Sequence, residues 1–178
     1  MNNLRELEKQ YEELGKEIER LKKEQEPARF KDDPIFLLSE EEYEKYKDKI
    51  PKIGCWWWLR SPSMDSGRAV NVNYVGSLSV LGYDVACDGA VRPALRTSNL
   101  KLGKEFKSTK PPVFVMDEQR SVWLLVFNGV TWVQIDDGLY ISELPIDFRR
   151  FDEKSNNYET SEVRKFLLYW FEERQDLN

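Results

Sequence analysis

The first twenty-six residues carry apolar side chains at a coiled-coil spacing within a highly charged segment. The apolar positions follow one another at steps of three and four residues, and they are Leu4, Leu7, Tyr11, Leu14, Ile18 and Leu21. This repeat is typical of a helix that pairs along one seam. Such a short helix is marginal in water, and Gly15 weakens it by about 1 kcal/mol. We therefore predict a helix over residues 1–27 that either forms a homo-oligomer through the seam or packs on its own domain.

From residue 33 onwards, short apolar segments separated by turn residues replace the helical repeat. A buried strand is predicted within residues 33–39. Ser39 and Glu42 then have the spacing of a capping box, which predicts a short helix that ends before Pro51. Further strands are predicted at residues 56–60, 68–74, 77–81 and 90–95.

A basic connection at residues 96–112 leads to a second block of the same kind. Strands are predicted at residues 113–116, 122–127, 131–135 and 139–142. The Asp136-Asp137-Gly138 turn joins the last two of them. A final helix begins after a cap at Thr160 or Ser161. The two blocks together predict an α+β fold with a mainly antiparallel, twisted sheet and flanking helices.

Three adjacent tryptophans mark the middle of the first block. Side chains alternate along a strand, so Trp56, Trp57 and Trp58 cannot all face one side. Trp57 and Trp58 are interpreted as core residues, although Trp56 or Trp57 remains an alternative aromatic anchor at the surface. Arg60 and Arg92 lie within apolar segments, where a charge needs acceptors. We expect both to pair with aspartate or with backbone carbonyls and so to be structural.

Composition narrows the classes of function. The chain has 178 residues, a net charge of −5, two cysteines and no histidine. The acidic balance argues against direct nucleic-acid binding, and the lack of histidine removes triad catalysis and most zinc sites. Asp65, Asp84 and Asp88 fit no calcium-loop spacing, so neither a metal nor a cofactor is expected. No signal peptide or membrane-spanning run is recognisable, which predicts a cytoplasmic protein.

Two motifs stand about thirty residues apart, Trp57-Trp58-Leu59-Arg60-Ser61-Pro62 and Gly89-Ala90-Val91-Arg92-Pro93-Ala94-Leu95. Together with Phe36-Leu37-Leu38-Ser39 they resemble the hallmark of DUF6273, an uncharacterised bacterial and phage domain. That family is similar to the C-type-lectin-like fold, which formylglycine-generating enzymes also use. The resemblance therefore implies a lectin-like fold.

The second block resembles the other half of the same family. The carrying segments are Thr131-Trp132-Val133, Tyr140-Ile141-Ser142 and the stretch from Tyr158 to Leu167. This half comes first in the usual members, so the halves look swapped here. The resemblance implies one domain over residues 33–178, composed of halves at 33–100 and 112–178.

The resemblance implies no catalytic residues and points to a binding module that is not an enzyme. It places the binding face on the loops at residues 63–88, where polar and aromatic residues suit adaptable recognition of a protein or a glycan. The residues expected there are Asn71, Asn73, Tyr74, Ser77, Ser79, Tyr83 and Asp84. The alternative is an inhibitor encoded by a phage or mobile element that binds a host defence nuclease, in the manner of an anti-CRISPR protein. In either case we expect the protein to act in the cytoplasm of a bacterial host.

Overall fold

The computed structural model describes residues 9–16, 33–99 and 112–176. The chain divides into two compact units, Met1–Asp32 and Asp33–Asn178. In the first unit, residues 9–16 are helical (α1), and Lys16 Nζ donates a hydrogen bond of 2.8 Å to Glu12. Tyr11 and Leu14 of the predicted seam are both exposed. The other four seam residues, Leu4, Leu7, Ile18 and Leu21, lie outside the described residues, so self-association through the seam stays a prediction.

Over residues 33–99 and 112–176, the second unit contains eleven strands and two α-helices. The helices are α2 (Glu40–Tyr46) and α3 (Glu162–Asp176). The strands of the first half are β1 (Ile35–Phe36), β2 (Trp57–Pro62), β3 (Arg68–Val72), β4 (Leu78–Asp84), β5 (Gly89–Val91) and β6 (Ala94–Arg96). The strands of the second half are β7 (Val113–Asp117), β8 (Val122–Phe127), β9 (Val130–Asp136), β10 (Leu139–Ser142) and β11 (Asp147–Arg149).

The strands form two sheets, whereas the sequence predicted one. The first sheet has six strands in the order β1-β6-β10-β9-β8-β7, and the second has five in the order β11-β5-β2-β3-β4. The pairings between described strands are antiparallel except for β2 with β5. Both sheets mix strands from the two halves of the chain. The predicted α+β class is confirmed.

The single strand predicted at residues 90–95 is wrong. The chain leaves the second sheet after Val91 and enters the first sheet at Ala94. Pro93 has no N–H for a strand ladder, and Arg92 must find acceptors for a buried guanidinium. These two residues therefore form the crossover between the sheets.

One hydrophobic cluster draws on both sheets and on α2. Trp57, Leu59 and Ala90 of the second sheet belong to it together with Val133 and Ile141 of the first. The pairing of Leu95 with Tyr140 also joins the halves directly within the first sheet. Residues of the 131–142 segment therefore share this core with the tryptophan motif. A lone half would lack much of this core.

Local capping signals in the sequence are realised at both helices. The Ser39 side chain accepts a hydrogen bond from Glu42 N, and the Glu42 carboxylate accepts one from Ser39 N, which confirms the capping box. Ser161 Oγ accepts from Arg164 N and so caps α3. Arg164 also pairs through two nitrogens with Asp33, at 2.9 and 3.0 Å. This ion pair ties the start of the unit to its last helix.

Helix α3 lies on the first sheet. Its Trp170 and Phe171 meet Trp132 and Phe127 of that sheet at ring-centre distances of 6.5 and 5.9 Å. Aromatic pairs at this separation contribute beyond their buried area. None of the helices in the described part of the chain has the length and apolar content that crossing a membrane requires.

Candidate recognition surface

The β3–β4 hairpin carries a group of exposed apolar side chains at one end of the second sheet. Tyr74 and Val75 lie at the hairpin turn, while Val80, Leu81 and Tyr83 lie on β4. Their exposed fractions are 69, 50, 51, 71 and 49%, respectively. β4 is the last strand in the order of its sheet. We call these five residues the hairpin surface.

A tight turn fixes the tip of the hairpin. Asn73 Oδ1 accepts hydrogen bonds from Val75 N at 3.0 Å and from Ser77 N at 2.9 Å. Gly76 has a φ of +82°, which favours glycine, and its carbonyl oxygen accepts a 2.6 Å bond from the Tyr43 hydroxyl of α2. The tip that presents Tyr74 and Val75 is thus anchored to the core.

A bulge in β4 projects the next two apolar residues. Ala69 pairs with Tyr83 but Asn71 pairs with Ser79, so β4 has two more residues than β3 over this stretch. Gly82 has a φ of +66°, and a Cβ at this position would lie 2.2 Å from the carbonyl oxygen of Ala69. Only glycine fits there without displacing the backbone. Bulges of this kind re-aim side chains, and here they expose Val80 and Leu81.

An aromatic stack supports Tyr83. Its ring lies 4.6 Å from that of Trp56 at an interplanar angle of 13°, and Trp56 meets Trp58 edge-on at 4.8 Å. A Cβ at Gly89 would lie 2.4 Å from the Trp56 ring, so this glycine makes room for the stack. Tyr83 therefore rests on the Trp56 ring while about half of it faces solvent. Trp56 is half-buried beneath it.

The structure places six of the seven predicted binding residues at least partly at the surface. Tyr74, Ser77, Tyr83 and Asp84 are exposed, while Asn73 and Ser79 are half-buried. Two of these side chains bind the local backbone. Asn73 holds the turn, and Asp84 Oδ1 accepts a 2.9 Å hydrogen bond from Ala86 N.

Asn71 does not lie on the exposed binding face where the sequence analysis expected it. It is fully buried on β3, and among the described residues its amide nitrogen and oxygen have no hydrogen-bond partner. Ala69 and Asn71 share one face of β3. Trp58 and the Trp56–Tyr83 stack cover this face as well. Both faces of β3 are thus covered, whereas the sequence suggested one open face.

Sequence reasoning missed Val75, Val80 and Leu81. Val80 and Leu81 precede Gly82 inside a strand pattern, and an isolated glycine in a strand is a signal for a bulge. That signal could have predicted their exposure. Val75 is exposed because it occupies the turn that Asn73 closes.

Both motif arginines bind acceptors within the fold. Arg92 is fully buried and donates to the carbonyl oxygens of Ser142, Pro51 and Glu143 at 2.9, 2.8 and 3.3 Å. Burial lowers the pKa of Arg92 to about 10, which keeps it charged at neutral pH. Arg60 donates to the Leu37 carbonyl oxygen at 2.8 Å and pairs with the Glu42 carboxylate.

The motif tryptophans are core residues. Trp57 lies in the hydrophobic cluster, and the Arg92 guanidinium lies 5.2 Å from its ring centre. Trp58 faces the other side of the strand, where its Nε1 donates to the Arg149 carbonyl oxygen at 3.0 Å. Its ring also meets Phe151 edge-on at 5.6 Å. The three tryptophans divide between two faces, as the alternation of a strand requires.

Cys55 and Cys87 are both free, and burial raises the pKa of the Cys55 thiol. The described ranges contain no group of three or more His, Cys, Asp or Glu residues placed to hold a metal ion.

A groove of about 540 Å³ borders β8 and β9, and Trp123 and Lys49 are among its lining residues. Two further charged groups of this groove already have protein partners. Tyr46 donates to the Asp136 carboxylate and thereby lowers its pKa, and Arg120 pairs with Asp117 at 2.6 Å. The groove therefore combines both signs of charge with one exposed aromatic ring.

Comparison with known proteins finds one family model that is similar to part of the chain. No curated protein and no solved structure gives a significant match. A family model does match residues 11–98, which include both paired motifs, and the match covers just under half of the 178-residue chain. It ends before the second block and so leaves the resemblance of that block a prediction. The family is described as Domain of unknown function (DUF6273), and residues 11–98 are similar to it.

Proposed function

We propose that this protein is a non-enzymatic recognition module that binds a protein partner through the hairpin surface. The observation that carries the proposal is the exposure of five large apolar side chains, each 49–71% exposed, on one rigid hairpin. Exposed apolar patches of a folded protein mark interaction sites, and these five side chains belong to one hairpin. The module would act in the cytoplasm of a bacterial host.

The surface is held in its shape before any partner arrives. The Asn73 turn, the Gly82 bulge and the Trp56–Tyr83 stack each fix part of it. A preorganised surface loses little conformational entropy on binding, so more of the contact energy appears as affinity. Rigid aromatic residues are also the side chains that most often dominate binding energy.

The mixture of side chains favours a protein over a glycan. A sugar ring binds by stacking on an aromatic face. The ring of Tyr83 alone would be enough for this contact. Val80 and Leu81 add aliphatic area beside it, and this area gains free energy against apolar side chains of a protein. Exposed Ser77 and Asp84 give the surface a polar rim, as protein interfaces have.

The proposal extends to the relationship of the fold. We propose that the two halves form one C-type-lectin-like domain with their order swapped relative to other DUF6273 members. The pairing of β6 with β10 supports this, because each half completes a sheet of the other. An experimental structure of a member with the usual order would test it: superposition of β6 and β10 onto neighbouring strands is expected, and unrelated topology would contradict it.

The test of binding begins with the full chain carrying a photo-cross-linking residue at position 81 in bacterial cells. A second chain carries it at position 144, because Leu144 is 65% exposed and lies outside the hairpin surface. A partner captured from position 81 alone is then purified. Its affinity is measured by calorimetry for Leu81→Ala and Tyr83→Ala, and for the matched controls Leu144→Ala and Tyr169→Ala.

Each hairpin substitution should weaken binding about fivefold or more, because a lost apolar anchor costs about 1 kcal/mol or more. The controls should leave the affinity unchanged. Loss of binding in Tyr83→Ala with no effect of Leu81→Ala, together with binding to a glycan array, would assign the surface to a sugar. Capture of a defence nuclease would assign the module to the inhibitor class. Equal capture at both positions would refute a dedicated hairpin surface.

A further inference from the structure

We infer that β7 is a self-association edge, through which two copies of this chain pair antiparallel and join their first sheets. β7 stands at the end of that sheet, beside β8. Among the described residues, no strand pairs with its outer side. The four residues Val113–Met116 are each 40–52% exposed. This edge belongs to the other sheet from the hairpin surface, so the inference does not rest on the proposed function.

Both faces of β7 are apolar and half open. The register with β8 places Val113 and Val115 on one face, and Phe114 and Met116 on the other. Two exposed neighbours on β8, Trp123 and Val126, enlarge the area on each side. Edge strands that remain open in solution usually carry a charged residue such as Lys, or a Pro, as protection against pairing. Residues 113–116 carry none.

The backbone and side chains of β7 determine which kind of strand can pair with its outer edge. Backbone N–H and C=O groups along a strand edge are satisfied by another extended strand. Because both faces of β7 are apolar, that strand must be apolar on both faces as well. β7 itself meets this requirement. A twofold axis then makes each copy the complement of the other.

The ends of β7 set the register. Pro112 precedes the strand and a turn follows Asp117, so pairing is confined to five residues. The longest overlap centres on Val115, which then faces the Val115 of the second copy. Phe114 faces Met116 in this register, and Val113 faces Asp117. No like charges meet, and the Asp117 carboxylate is already held by Arg120 at 2.6 Å.

The apolar area at this edge is large for a single strand. Six side chains that are each 40–52% exposed leave roughly 500 Å² uncovered in one copy. Two copies together offer about 1,000 Å² of exposed area, close to the smallest area that specific interfaces bury. The twelve-stranded sheet that results would have β1 as its outermost strand on both sides.

Sedimentation equilibrium of the full chain tests the inference. The wild type should show twice the chain mass of 21.1 kDa. Val115→Lys should weaken the dimer about tenfold or more, because two ammonium groups would then face each other. Leu144→Lys is the control, since Leu144 is 65% exposed and lies on neither β7 nor the hairpin surface. It should leave the dimer unchanged.

Disulfide cross-linking provides a second readout that does not depend on how well the lysine variant folds. Under mild oxidation Val115→Cys should link two copies, because directly opposed residues have Cβ atoms about 5 Å apart. Val113→Cys should not link to itself, but it should link to Asp117→Cys in a mixture. The wild type, with its two natural cysteines, sets the background.

Three results would overturn the inference. The first is a wild-type monomer across the concentration range. The second is a dimer that survives Val115→Lys but dissociates in Leu14→Lys, which would assign self-association to the predicted N-terminal seam. The third is efficient cross-linking of Val113→Cys with itself and none at position 115, which would exclude pairing centred on Val115.

Discussion

Arg92 Nε donates a 2.9 Å hydrogen bond to the carbonyl oxygen of Ser142, 50 residues further along the chain. Arg92 stands at the crossover between the two sheets, and Ser142 ends β10 in the second half. The remaining guanidinium nitrogens bind the carbonyl oxygens of Pro51 and Glu143. One side chain thus satisfies three backbone acceptors from two places in the chain. Arg92 of the second motif therefore links the crossover to backbone groups from both halves of the chain.

Replacement of Arg92 should destabilise the protein strongly. Arg92→Met would leave three carbonyl oxygens without their donor, and each buried orphan costs about 1–3 kcal/mol. We expect a loss of roughly 3 kcal/mol or more in the free energy of unfolding, measured with urea. Arg92→Lys should recover only part of it, because an ammonium lacks the planar fork of donors. The control Arg150→Met removes a solvent-exposed ion pair and should cost less than about 1 kcal/mol.

Gly82→Ala should distort the hairpin surface. The added Cβ would lie 2.2 Å from a backbone oxygen at a φ of +66°, so the bulge must shift. We expect a lower melting temperature and a changed near-ultraviolet circular dichroism signal, since Tyr83 would leave the Trp56 ring. Gly67→Ala is the control, because its Cβ would meet Asp65 at an ordinary 3.5 Å. An unchanged aromatic signal in Gly82→Ala would show that the bulge does not position Tyr83.

Substitutions at aromatic residues should separate stability from binding. Trp58 is fully buried, and Trp58→Ala should cost about 3–5 kcal/mol, as deletion of a core aromatic does. Tyr74 is 69% exposed, so Tyr74→Ala should leave the melting temperature nearly unchanged while it weakens partner binding. Thermal melts and calorimetry with the captured partner measure the two effects. A large loss of stability in Tyr74→Ala would contradict this division.

Asp152 should make stability sensitive to acid. Burial alone would raise its pKa, but backbone N–H groups, among them those of Lys154 and Glu162, lower it below the ordinary value. A carboxyl group with a lowered folded-state pKa stabilises the fold at neutral pH. This contribution disappears as the pH falls through the folded-state pKa, below about 4.

Asp152→Asn should therefore lower the melting temperature at pH 7 more than at pH 3. Asp88→Asn is a control with the same change of charge at an exposed position, and it should not reproduce the effect. Melting curves across this range measure both variants. An equal loss at both pH values would mean that Asp152 acts only through its shape.

The local elements of this fold could be predicted from the sequence because local signals set them. The Ser39–Glu42 capping box and the Asp136–Gly138 turn depend on residues within a few positions of one another. Most strand positions followed from short apolar runs in the same way. The division into two sheets did not, because it depends on where Arg92 finds its acceptors, about 40 and 50 residues away.

The candidate site shows the same limit. The exposure of Tyr74 and Tyr83 followed from their position near turns. The burial of Asn71 did not, since it depends on aromatic rings from β2 and β4 that cover β3. Likewise, Leu81 is exposed because β4 has two more residues than β3 over the paired stretch. The periodicity of a single sequence does not reveal such a difference between paired strands.

The interleaving of the two halves has a consequence for how the protein can be divided. β1 and β6 come from the first half, yet they complete a sheet whose other four strands come from the second. The family segment that ends at residue 98 should therefore not fold in isolation. Expressed separately and then mixed, fragments 1–99 and 112–178 should instead behave as a split protein, each unfolded alone and restored by the other. Such fragment complementation could serve as a reporter. The domain, together with the hairpin surface, would form only when the two fragments are brought together.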